Sequence, residues 1–511
     1  MAGQDTHCDV LVVGSGAGGL VGAYTAAREG LSVQLIEATD RYGGMTAYSG
    51  AGMWFPCNAV LRRAGQDDDM ASARAYYRAV VGDRTPAVLQ DAYLETGALL
   101  IDYLETDPHF AFMVYPWPDY YGAEPHARAD GRHIVPEPLP AAAIGALEAV
   151  LRPALAQDRS GHPAPEVLIG GQALVGRFLL ALSQMPNVTL CTATPLVDFI
   201  AEEGAVTGAI VRDADGSERR ILARRGTLVA AGGFERNAAM RAEFGVPGEA
   251  AGSMAPPGNT GRAIAAAMAI GADGDLMDQA WWSPGLMQPD GSATFTVGID
   301  GGLFVNHEGA RFVSETLPYD RVGRAIIAAQ AEGRLTLPFW LVYDDRDGGM
   351  PPIQYPNLPF ADPAAYRQAG LWRSAATLPE LAAAIGIPAD ALVAGVGRFN
   401  AYAAKGEDPD FARGAEPYER MFTDGKPPLA PVVRAPFHAA AFGLSDLGTK
   451  GGLRTDGHAR VLCRQGAPIA GLYATGNSMA AVSGHAYPGG GNPVGSSMVF
   501  AYLAARHMVG G

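Results

Sequence analysis

The chain has 511 residues, of which 48% are hydrophobic, and its formal net charge at pH 7 is −15. This length and apolar content predict two folded domains and argue against a disordered chain. The acidic balance argues against a nucleic-acid partner, whose phosphates need a basic surface, and the four scattered cysteines lack the CxxC or CxxH spacing of a zinc site or redox pair.

The N-terminal segment has the pattern of a strand, a tight turn and a helix. Asp9–Val13 is apolar and rich in β-forming residues, the sequence GSGAGG follows it, and an alanine-rich stretch then runs to about residue 30. Residues 31–37 alternate apolar and polar side chains, as a second strand parallel to the first would. Gly14, Gly16 and Gly19 match the GxGxxG fingerprint, whose glycines permit the turn, the approach of a pyrophosphate and the packing of helix on strand. The segment therefore predicts a dinucleotide-binding βαβ unit.

A carboxylate and a second loop of small residues follow this unit. Glu37 ends the second strand about 20 residues after the middle glycine, where a carboxylate can accept hydrogen bonds from ribose hydroxyls. Residues 41–52 then have the sequence RYGGMTAYSGAG, where an NAD enzyme would usually continue into ordinary helix. Such a loop, with the hydroxyls of Thr46 and Ser49, accommodates a cofactor that extends past its phosphates, and it favours FAD over NAD.

Two later segments repeat the pattern of a strand that ends in a glycine turn. Thr227–Ala230 leads into Ala231-Gly232-Gly233, and Gly471–Asn477 has the sequence GLYATGN. Both are predicted to end beside the same nucleotide, so the cofactor domain is assembled from discontinuous pieces. A terminal helix is predicted from Ser496 to His507, and its N-terminus could stabilise negative charge on a reduced flavin.

Between about Asp278 and Phe437 the sequence pattern changes from strands that end in glycine turns to helices separated by connections rich in proline and glycine. Thr377–Glu380 is a capping box at the start of a helix, and a second helix is predicted from Pro388 to about Ala404. Connections rich in proline and glycine occupy most of the remainder. This region is the candidate substrate domain.

The order of these motifs, with Asn259-Thr260-Gly261 between the glycine turn at 231–233 and the segment 471–477, resembles the succinate dehydrogenase/fumarate reductase flavoprotein superfamily. Within it, four longer segments resemble bacterial 3-ketosteroid Δ1-dehydrogenases: Pro118–Tyr121 with Glu124, Ser314–Asp320, Leu444–Gly452, and Tyr487–Gly489 with Gly491. The resemblance runs through nearly the whole chain. It implies an α/β fold in which a discontinuous Rossmann-like, glutathione-reductase-type FAD domain (1–277 and 437–511) is interrupted by an inserted α+β catalytic domain (278–436).

The resemblance also implies the chemistry, which is 1(2)-dehydrogenation of a 3-ketosteroid. Tyr319 matches the base that removes the C2 proton, and flavin N5 accepts the C1 hydride. The Tyr487 hydroxyl and the Gly491 N–H would polarise the C3 carbonyl, as donors in an oxyanion hole do. A free tyrosine has a pKa of about 10, so Tyr319 needs a neighbour that stabilises its anion or relays its proton. Tyr120 matches that neighbour, and the adjacent Tyr121 is the alternative.

FAD is expected to be non-covalent, because the loop after the first acid has no histidine, and no metal is expected. The predicted cofactor-binding residues are Gly14, Ser15, Gly16, Ala17, Gly18, Gly19, Glu37, Ala38, Gly43, Gly44, Thr46, Ala47, Ser49, Gly50, Val197, Ala231, Gly232, Gly476, Asn477 and Val494. Predicted partners are a 3-ketosteroid and an external, quinone-like electron acceptor. We expect a cytoplasmic protein, because the sequence shows no leader pattern and no apolar run long enough to cross a bilayer, although a lipophilic substrate could bring it to a membrane surface.

Three alternatives stay open on the sequence. A 3-ketosteroid 4(5α)-dehydrogenase or a fumarate-reductase-like enzyme would share the fold, and a flavin-binding protein without turnover would share the cofactor. A dicarboxylate site needs several cationic side chains, and Arg311 is better interpreted as a structural partner of Glu315. Arg262 and Asn492 depart from the family pattern, beside the flavin and beside the ketone respectively.

Overall fold

The structure is a computed structural model that describes residues 5–356 and 358–510. Its strands, in chain order, are β1 Thr6–Val13, β2 Val33–Ile36, β3 Met53–Trp54, β4 Phe112–Val114, β5 His133–Pro136, β6 Leu139–Pro140, β7 Val167–Leu168, β8 Val188–Cys191, β9 Leu196–Glu202, β10 Ala205–Arg212, β11 Glu218–Val229, β12 Gly274–Asp275, β13 Ala280–Met287, β14 Ala293–Ile299, β15 Leu303–Val305, β16 Phe339–Asp344, β17 Ile353–Pro356, β18 Trp372–Ala375, β19 Phe437–Thr449, β20 Gly452–Leu453, β21 Arg460–Leu462 and β22 Pro468–Ala474. Its α-helices are α1 Ala17–Arg28, α2 Ala59–Arg63, α3 Met70–Val81, α4 Ala87–Leu104, α5 Leu155–Ser160, α6 Gly170–Ser183, α7 Ala238–Phe244, α8 Arg262–Ala269, α9 Tyr319–Ala331, α10 Pro363–Gln368, α11 Leu378–Ile385, α12 Ala389–Lys405, α13 Pro417–Arg420 and α14 Asn492–Gly510.

The chain divides into two units. The first contains the chain up to Val246, Ala255–Ala280 and the chain from Gly448 onward, and the second contains Pro247–Met254 and Trp281–Leu447. Within the described residues, none of the helices combines the length and hydropathy that a bilayer crossing requires.

The first unit is built on a sheet whose central strands are parallel. β22, β11, β1, β2 and β8 pair in parallel, and the last residues of the strands are level with one another. Val13 is paired with Val229 and Ile36, Val229 is paired with Ala474, and Ile36 is paired with Cys191. The predicted strands at 9–13, 31–37, 227–230 and 471–474 are confirmed, and their carboxyl ends meet at one edge of the sheet.

At this edge of the sheet, the glycines of the GxGxxG fingerprint allow backbone segments to pack closely against one another. Gly14 has a φ of +102°, and a Cβ atom there would lie 2.3 Å from the Ala230 carbonyl oxygen. A Cβ atom at Gly19 would lie 2.0 Å from the Gly14 carbonyl oxygen. Both positions therefore exclude any larger residue, as the fingerprint predicts.

The terminal helix begins earlier than the sequence pattern predicts. α14 starts at Asn492, and the Gly495 N–H donates to the Gly491 carbonyl at 2.9 Å. Pro493 suits the first turn of a helix, because its missing N–H would have no partner there. The predicted start at Ser496 is therefore wrong by one turn of helix, and the loop 487–491 leads directly into α14.

The second unit contains a mixed sheet in the order β15-β16-β19-β13-β14-β17, with β18 paired to β19. The predicted capping box of Thr377 and Glu380 and the helix Ala389–Lys405 are both confirmed. Helices α11 and α12 pack against the sheet through apolar residues that include Leu381, Val396 and Phe399.

Two segments that we assigned to the FAD domain from sequence lie in the second unit. Residues 437–442 pair with β16 in the sheet of that unit. Residues 247–254 accompany the same strand, because the Met254 N–H donates to the Asp446 carbonyl at 2.9 Å and the Ser445 hydroxyl to the Gly252 carbonyl at 2.6 Å. These pairings join residues that are far apart in the chain, so the local sequence pattern does not predict them.

Candidate active site

The edge of the parallel sheet in the first unit carries the predicted dinucleotide residues. The Ser15 hydroxyl donates to Glu37 Oε2 at 2.5 Å and accepts from the Gly43 N–H at 3.0 Å. The other oxygen of Glu37 accepts from the N–H and the hydroxyl of Thr39, each at 2.9 Å. Glu37 is thus held rigidly. Its Oε1 already accepts two hydrogen bonds, whereas Oε2 accepts one from Ser15 and keeps a second lone pair for a ribose hydroxyl.

The second small-residue loop lies against the first. Thr46 Oγ1 accepts from the Ala17 N–H, the first amide of α1, at 2.9 Å. A Cβ atom at Gly44 would lie 3.6 Å from the Gly16 Cα. Among the described residues, apart from the chain neighbours, a Cβ atom at Gly16 itself would have only the Thr46 hydroxyl within 4 Å. The backbone at Gly16 is therefore open to close approach, which is what a pyrophosphate at this turn requires.

The remaining predicted cofactor residues are distributed over several elements of the first unit. Gly232 has a φ of +74° and packs against the Asn259 carboxamide, while its carbonyl accepts from the Ser478 hydroxyl at 2.8 Å. Gly18 and Gly476 both pack against Ser497 of α14. The others lie in the loop after β2, in β9, after β11, in the turn after β22 and in the first turn of α14, and they are Ala38, Ala47, Ser49, Gly50, Val197, Ala231, Asn477 and Val494.

Arg262, which departs from the family pattern, is held by hydrogen bonds to backbone carbonyls. Its guanidinium donates to the carbonyls of Leu196 at 2.7 Å and Val197 at 3.0 Å. These bonds tie the start of α8 to β9, so this side chain has a structural role.

Substituting Gly14 by alanine should abolish or strongly reduce FAD loading, because the added methyl group meets the Ala230 backbone in a conformation that alanine rarely adopts. The measurement is the ratio of flavin to protein absorbance after purification. Gly397→Ala is the control, since Gly397 lies in α12 without a positive φ, and no described residue beyond its own stretch of helix lies within 4 Å of its Cβ position. Normal FAD content in Gly14→Ala would contradict this role of the first turn.

Two of the predicted catalytic tyrosines form a buried pair in the first unit. The ring centroids of Tyr120 and Tyr487 lie 5.0 Å apart, and both side chains are buried. The Trp117 indole N–H donates to the Tyr120 hydroxyl at 3.1 Å. Tyr121 is partly exposed, and its N–H donates to the Tyr76 hydroxyl at 3.3 Å. The structure therefore places Tyr120 against Tyr487.

The loop that follows Tyr487 is held by several contacts. The Pro488 carbonyl accepts from the Tyr120 N–H at 2.9 Å and from the Tyr76 hydroxyl at 2.5 Å. Just before the loop, the buried Lys450 ammonium donates to the Ala486 carbonyl at 2.6 Å. This carbonyl and that of Pro488 flank the tyrosine, so its backbone position is well defined.

Gly491 ends this loop in a conformation that favours glycine. Its φ is +90°, and a Cβ atom there would lie 2.3 Å from the Gly52 carbonyl carbon. Within the described part of the chain, no hydrogen bond uses the Gly491 N–H, and the residue is partly exposed. This amide is available to a ligand atom in the same loop as the Tyr487 hydroxyl.

Tyr319 lies in the second unit, where it is the first residue of α9 and follows Pro318. Its buried ring packs edge-on against Phe295 at 4.7 Å between centroids. The N-terminus of a helix carries a partial positive charge, which favours an anion such as a phenolate.

The segment before Tyr319 is anchored by a buried ion-pair cluster. Glu315 pairs with Arg311 at 2.9 Å and with Arg413 at 3.0 Å, and Arg311 also pairs with Asp408 at 2.9 Å. Burial opposes the charge of Glu315, but the two arginines lower its pKa below the ordinary value. The prediction that Arg311 is a structural partner of Glu315 is confirmed. Both edges of its guanidinium are occupied, so it cannot also clamp a dicarboxylate.

Sequence reasoning did not assign a role to several side chains around the tyrosine pair. Tyr76 and Lys450 donate to the carbonyls of Pro488 and Ala486, and the Trp54 indole and Arg132 donate to the carboxylate of Asp119, directly before Tyr120. Asp119 and Lys450 lie within motifs that carried the resemblance, which was a usable signal. Trp54, Tyr76 and Arg132 lie outside those motifs, and their importance comes from contacts over long sequence distances. Within residues 5–356 and 358–510, no group of three or more His, Cys, Asp or Glu side chains could hold a metal ion.

Comparison with known proteins identifies the family of the chain. Residues 9–494 match the family model described as FAD binding domain. The chain is 37% identical to the 3-oxosteroid 1-dehydrogenase of Mycobacterium tuberculosis (strain ATCC 25618 / H37Rv), over 98% of each chain. It is 33% identical to the 4-oxocyclohexanecarboxylate 2-dehydrogenase of Sinomonas cyclohexanicum, over 98% of this chain and 93% of that one.

Among solved structures, the 3-ketosteroid delta1-dehydrogenase from Sterolibacterium denitrificans in complex with 1,4-androstadiene-3,17-dione is similar. It aligns with a TM-score of 0.90 and 33% identity, over 99% of this chain and 100% of that one. The predicted fold class and the predicted FAD cofactor are confirmed. The chain belongs to the FAD-binding family, among relatives named 3-oxosteroid 1-dehydrogenase, and it is a flavin-dependent oxidoreductase that acts on CH–CH bonds.

Proposed function

We propose that the protein catalyses the FAD-dependent 1(2)-dehydrogenation of 3-ketosteroids. The observation that carries the proposal is the buried Tyr120–Tyr487 pair together with the available amide of Gly491 in the same loop. Relatives that are similar over almost the whole chain are named for this reaction, which supports the choice of substrate class.

The pair and the amide suit the polarisation of a ketone. The carbon next to a carbonyl is a very weak acid unless the charge that develops on the carbonyl oxygen is stabilised. In the proposal, the Tyr487 hydroxyl and the Gly491 N–H donate to the C3 carbonyl oxygen, and each such donor contributes about 3–4 kcal/mol in an oxyanion hole. The positions of Pro488 and Gly491 in a rigid loop support this, because preorganised donors need no rearrangement during the reaction.

Tyr319 is the proposed base that removes the C2 proton. Its place at the start of α9 supports the role, because the helix field lowers the cost of a phenolate. Tyr120 is proposed to relay or stabilise the charge of the base. When bound, FAD supplies the acceptor of the C1 hydride at N5, and an external acceptor, for which we propose a quinone, removes the electrons afterwards.

Anaerobic mixing of the FAD-loaded protein with androst-4-ene-3,17-dione tests the proposal. The flavin absorbance should fall, mass spectrometry should show a product that has lost two hydrogens, and proton NMR should place the new double bond between C1 and C2. A saturated 3-ketosteroid in a second experiment distinguishes desaturation at C1–C2 from desaturation at C4–C5. Flavin that keeps its absorbance with both steroids would contradict the proposal, and bleaching that produces a Δ4 product would show the 4(5α)-dehydrogenase.

A one-ring ketone is the second candidate substrate. The relative that is named for 4-oxocyclohexanecarboxylate is 33% identical over 98% of the chain, and the same donors could polarise the ketone of a single ring. The occupied guanidinium of Arg311 argues against the fumarate-reductase-like alternative. Parallel assays with 4-oxocyclohexanecarboxylate and with succinate decide among these substrates.

A further inference from the structure

Asp119 is a fully buried carboxylate directly before Tyr120 in the chain. Its Oδ1 accepts from the Trp54 indole N–H at 2.8 Å. Its Oδ2 accepts from the Arg128 N–H at 2.9 Å and from Arg132 Nη1 at 2.6 Å. Three donors from three places in the chain therefore converge on this one side chain.

The same residue meets the loop 487–491 through its backbone. Asp119 and Gly489 form an antiparallel bridge, and the Tyr120 N–H donates to the Pro488 carbonyl at 2.9 Å. A Cβ atom at Gly489 would lie 2.5 Å from the Trp54 ring and 3.4 Å from Asp119 Oδ1. The indole and the carboxylate thus form the wall against which Gly489 packs.

The charged groups around Asp119 hold this wall rigid. Arg132 is almost fully buried, pairs with Asp68 at 3.0 Å as well, and lies over the rings of Trp54 and Tyr76. Burial raises the pKa of Asp119 to about 6, against the opposing effect of Arg132 and Trp54. Arg128 also lies near Asp68 and forms a separate, more exposed pair with Asp130.

We propose that Asp119 is a positioning residue: through Trp54 and the backbone bridge to Gly489, it sets the Tyr120 and Tyr487 hydroxyls and the Gly491 amide. The effect on catalysis rests on the proposed function, whereas the effect on the loop does not.

Asparagine cannot replace Asp119 in this arrangement. Both carboxylate oxygens face donors, so the amide nitrogen of an asparagine would face either the Trp54 N–H or the Arg128 and Arg132 donors. The variant must then lose either the hydrogen bond from Trp54 or those from Arg128 and Arg132. Asp119→Asn therefore tests the contacts while changing the size of the side chain very little.

The first measurement is hydrogen exchange in the FAD-loaded protein. Asp119→Asn should increase the exchange rate of peptides that cover residues 487–492, while Asp130→Asn, which breaks a partly exposed pair in the same segment, should leave them unchanged. Trp54→Phe removes a single donor and keeps an aromatic ring, so it gives the same test if Asp119→Asn does not fold. Unchanged exchange in Asp119→Asn, or in Trp54→Phe where that variant replaces it, would overturn the inference.

The second measurement is a double-mutant cycle with Tyr487→Phe, followed by steroid turnover. Asp119→Asn alone should lower kcat by about tenfold to 10²-fold with little change in KM, as misplaced catalytic groups do. In the Tyr487→Phe background the further loss should be clearly smaller than in the wild-type background, because one of the groups that Asp119 positions is already absent while Tyr120 and the Gly491 amide remain. Equal losses in both backgrounds would mean that Asp119 does not act through Tyr487 and would overturn the catalytic part. If the wild type and Asp130→Asn do not turn over, the proposed function fails, and the hydrogen exchange still decides the inference.

Discussion

Tyr319→Phe should lower kcat for a 3-ketosteroid by roughly 10²–10⁴-fold, the range expected for loss of a general base. The Phe295 contact involves the ring and is kept in the variant, so the fold and the FAD content should change little. Rapid mixing without oxygen measures the effect directly, since the rate of flavin bleaching should fall by the same factor as turnover.

Tyr343→Phe is the matched control for this substitution. Tyr343 is buried in the same unit and its hydroxyl donates to the Gly349 carbonyl at 2.9 Å, so its loss removes a buried tyrosine hydroxyl that has no role in the proposed mechanism. Its expected effect is a small loss of stability with normal turnover. Retention of more than about a tenth of wild-type kcat in Tyr319→Phe would place the base elsewhere.

Tyr487→Phe should lower kcat by about 10²–10³-fold, as removal of one oxyanion-hole donor does. KM should change little, because the bond to the carbonyl oxygen strengthens as charge develops and contributes mainly in the transition state. The ring contact with Tyr120 remains in the variant, so steady-state kinetics of a FAD-loaded sample report the missing hydroxyl.

Tyr24→Phe serves as the control in the first unit, since the Tyr24 hydroxyl is bonded to Asp107 at 2.7 Å. It should retain wild-type kinetics. A Tyr487→Phe variant whose main defect is a higher KM would show that this hydroxyl contributes to binding and not to polarisation of the ketone.

The cofactor half of the protein was largely predictable from sequence. The GxGxxG turn, Glu37 and the glycine turns after β11 and β22 are local patterns with a strict physical cause, because only glycine tolerates the backbone approaches at Gly14 and Gly19. The capping box at Thr377 is another local signal, and the structure confirms it.

The start of α14 and the unit that contains residues 247–254 differ from the sequence-based assignment for another reason, namely contacts between distant parts of the chain. The start of α14 depends on whether Gly491 and Asn492 continue a loop or open a helix, and Gly491 packs against Gly52, which is far away in the sequence. The assignment of residues 247–254 depends on hydrogen bonds to residues 445 and 446, almost 200 positions later in the chain. Local periodicity carries no information on such pairings.

By itself, the sequence determined the nucleotide-binding edge, because that edge needs particular residue types at a particular spacing. The flavin chemistry and the tyrosines that are candidates for catalysis came from the resemblance of its longer motifs to a known family. The tertiary structure alone decided that Tyr120 packs against Tyr487, that the Gly491 amide is available, and that Asp119 joins Trp54 and Arg132 behind the loop. These facts depend on contacts between segments that are far apart in the chain, which form only when the core closes around them.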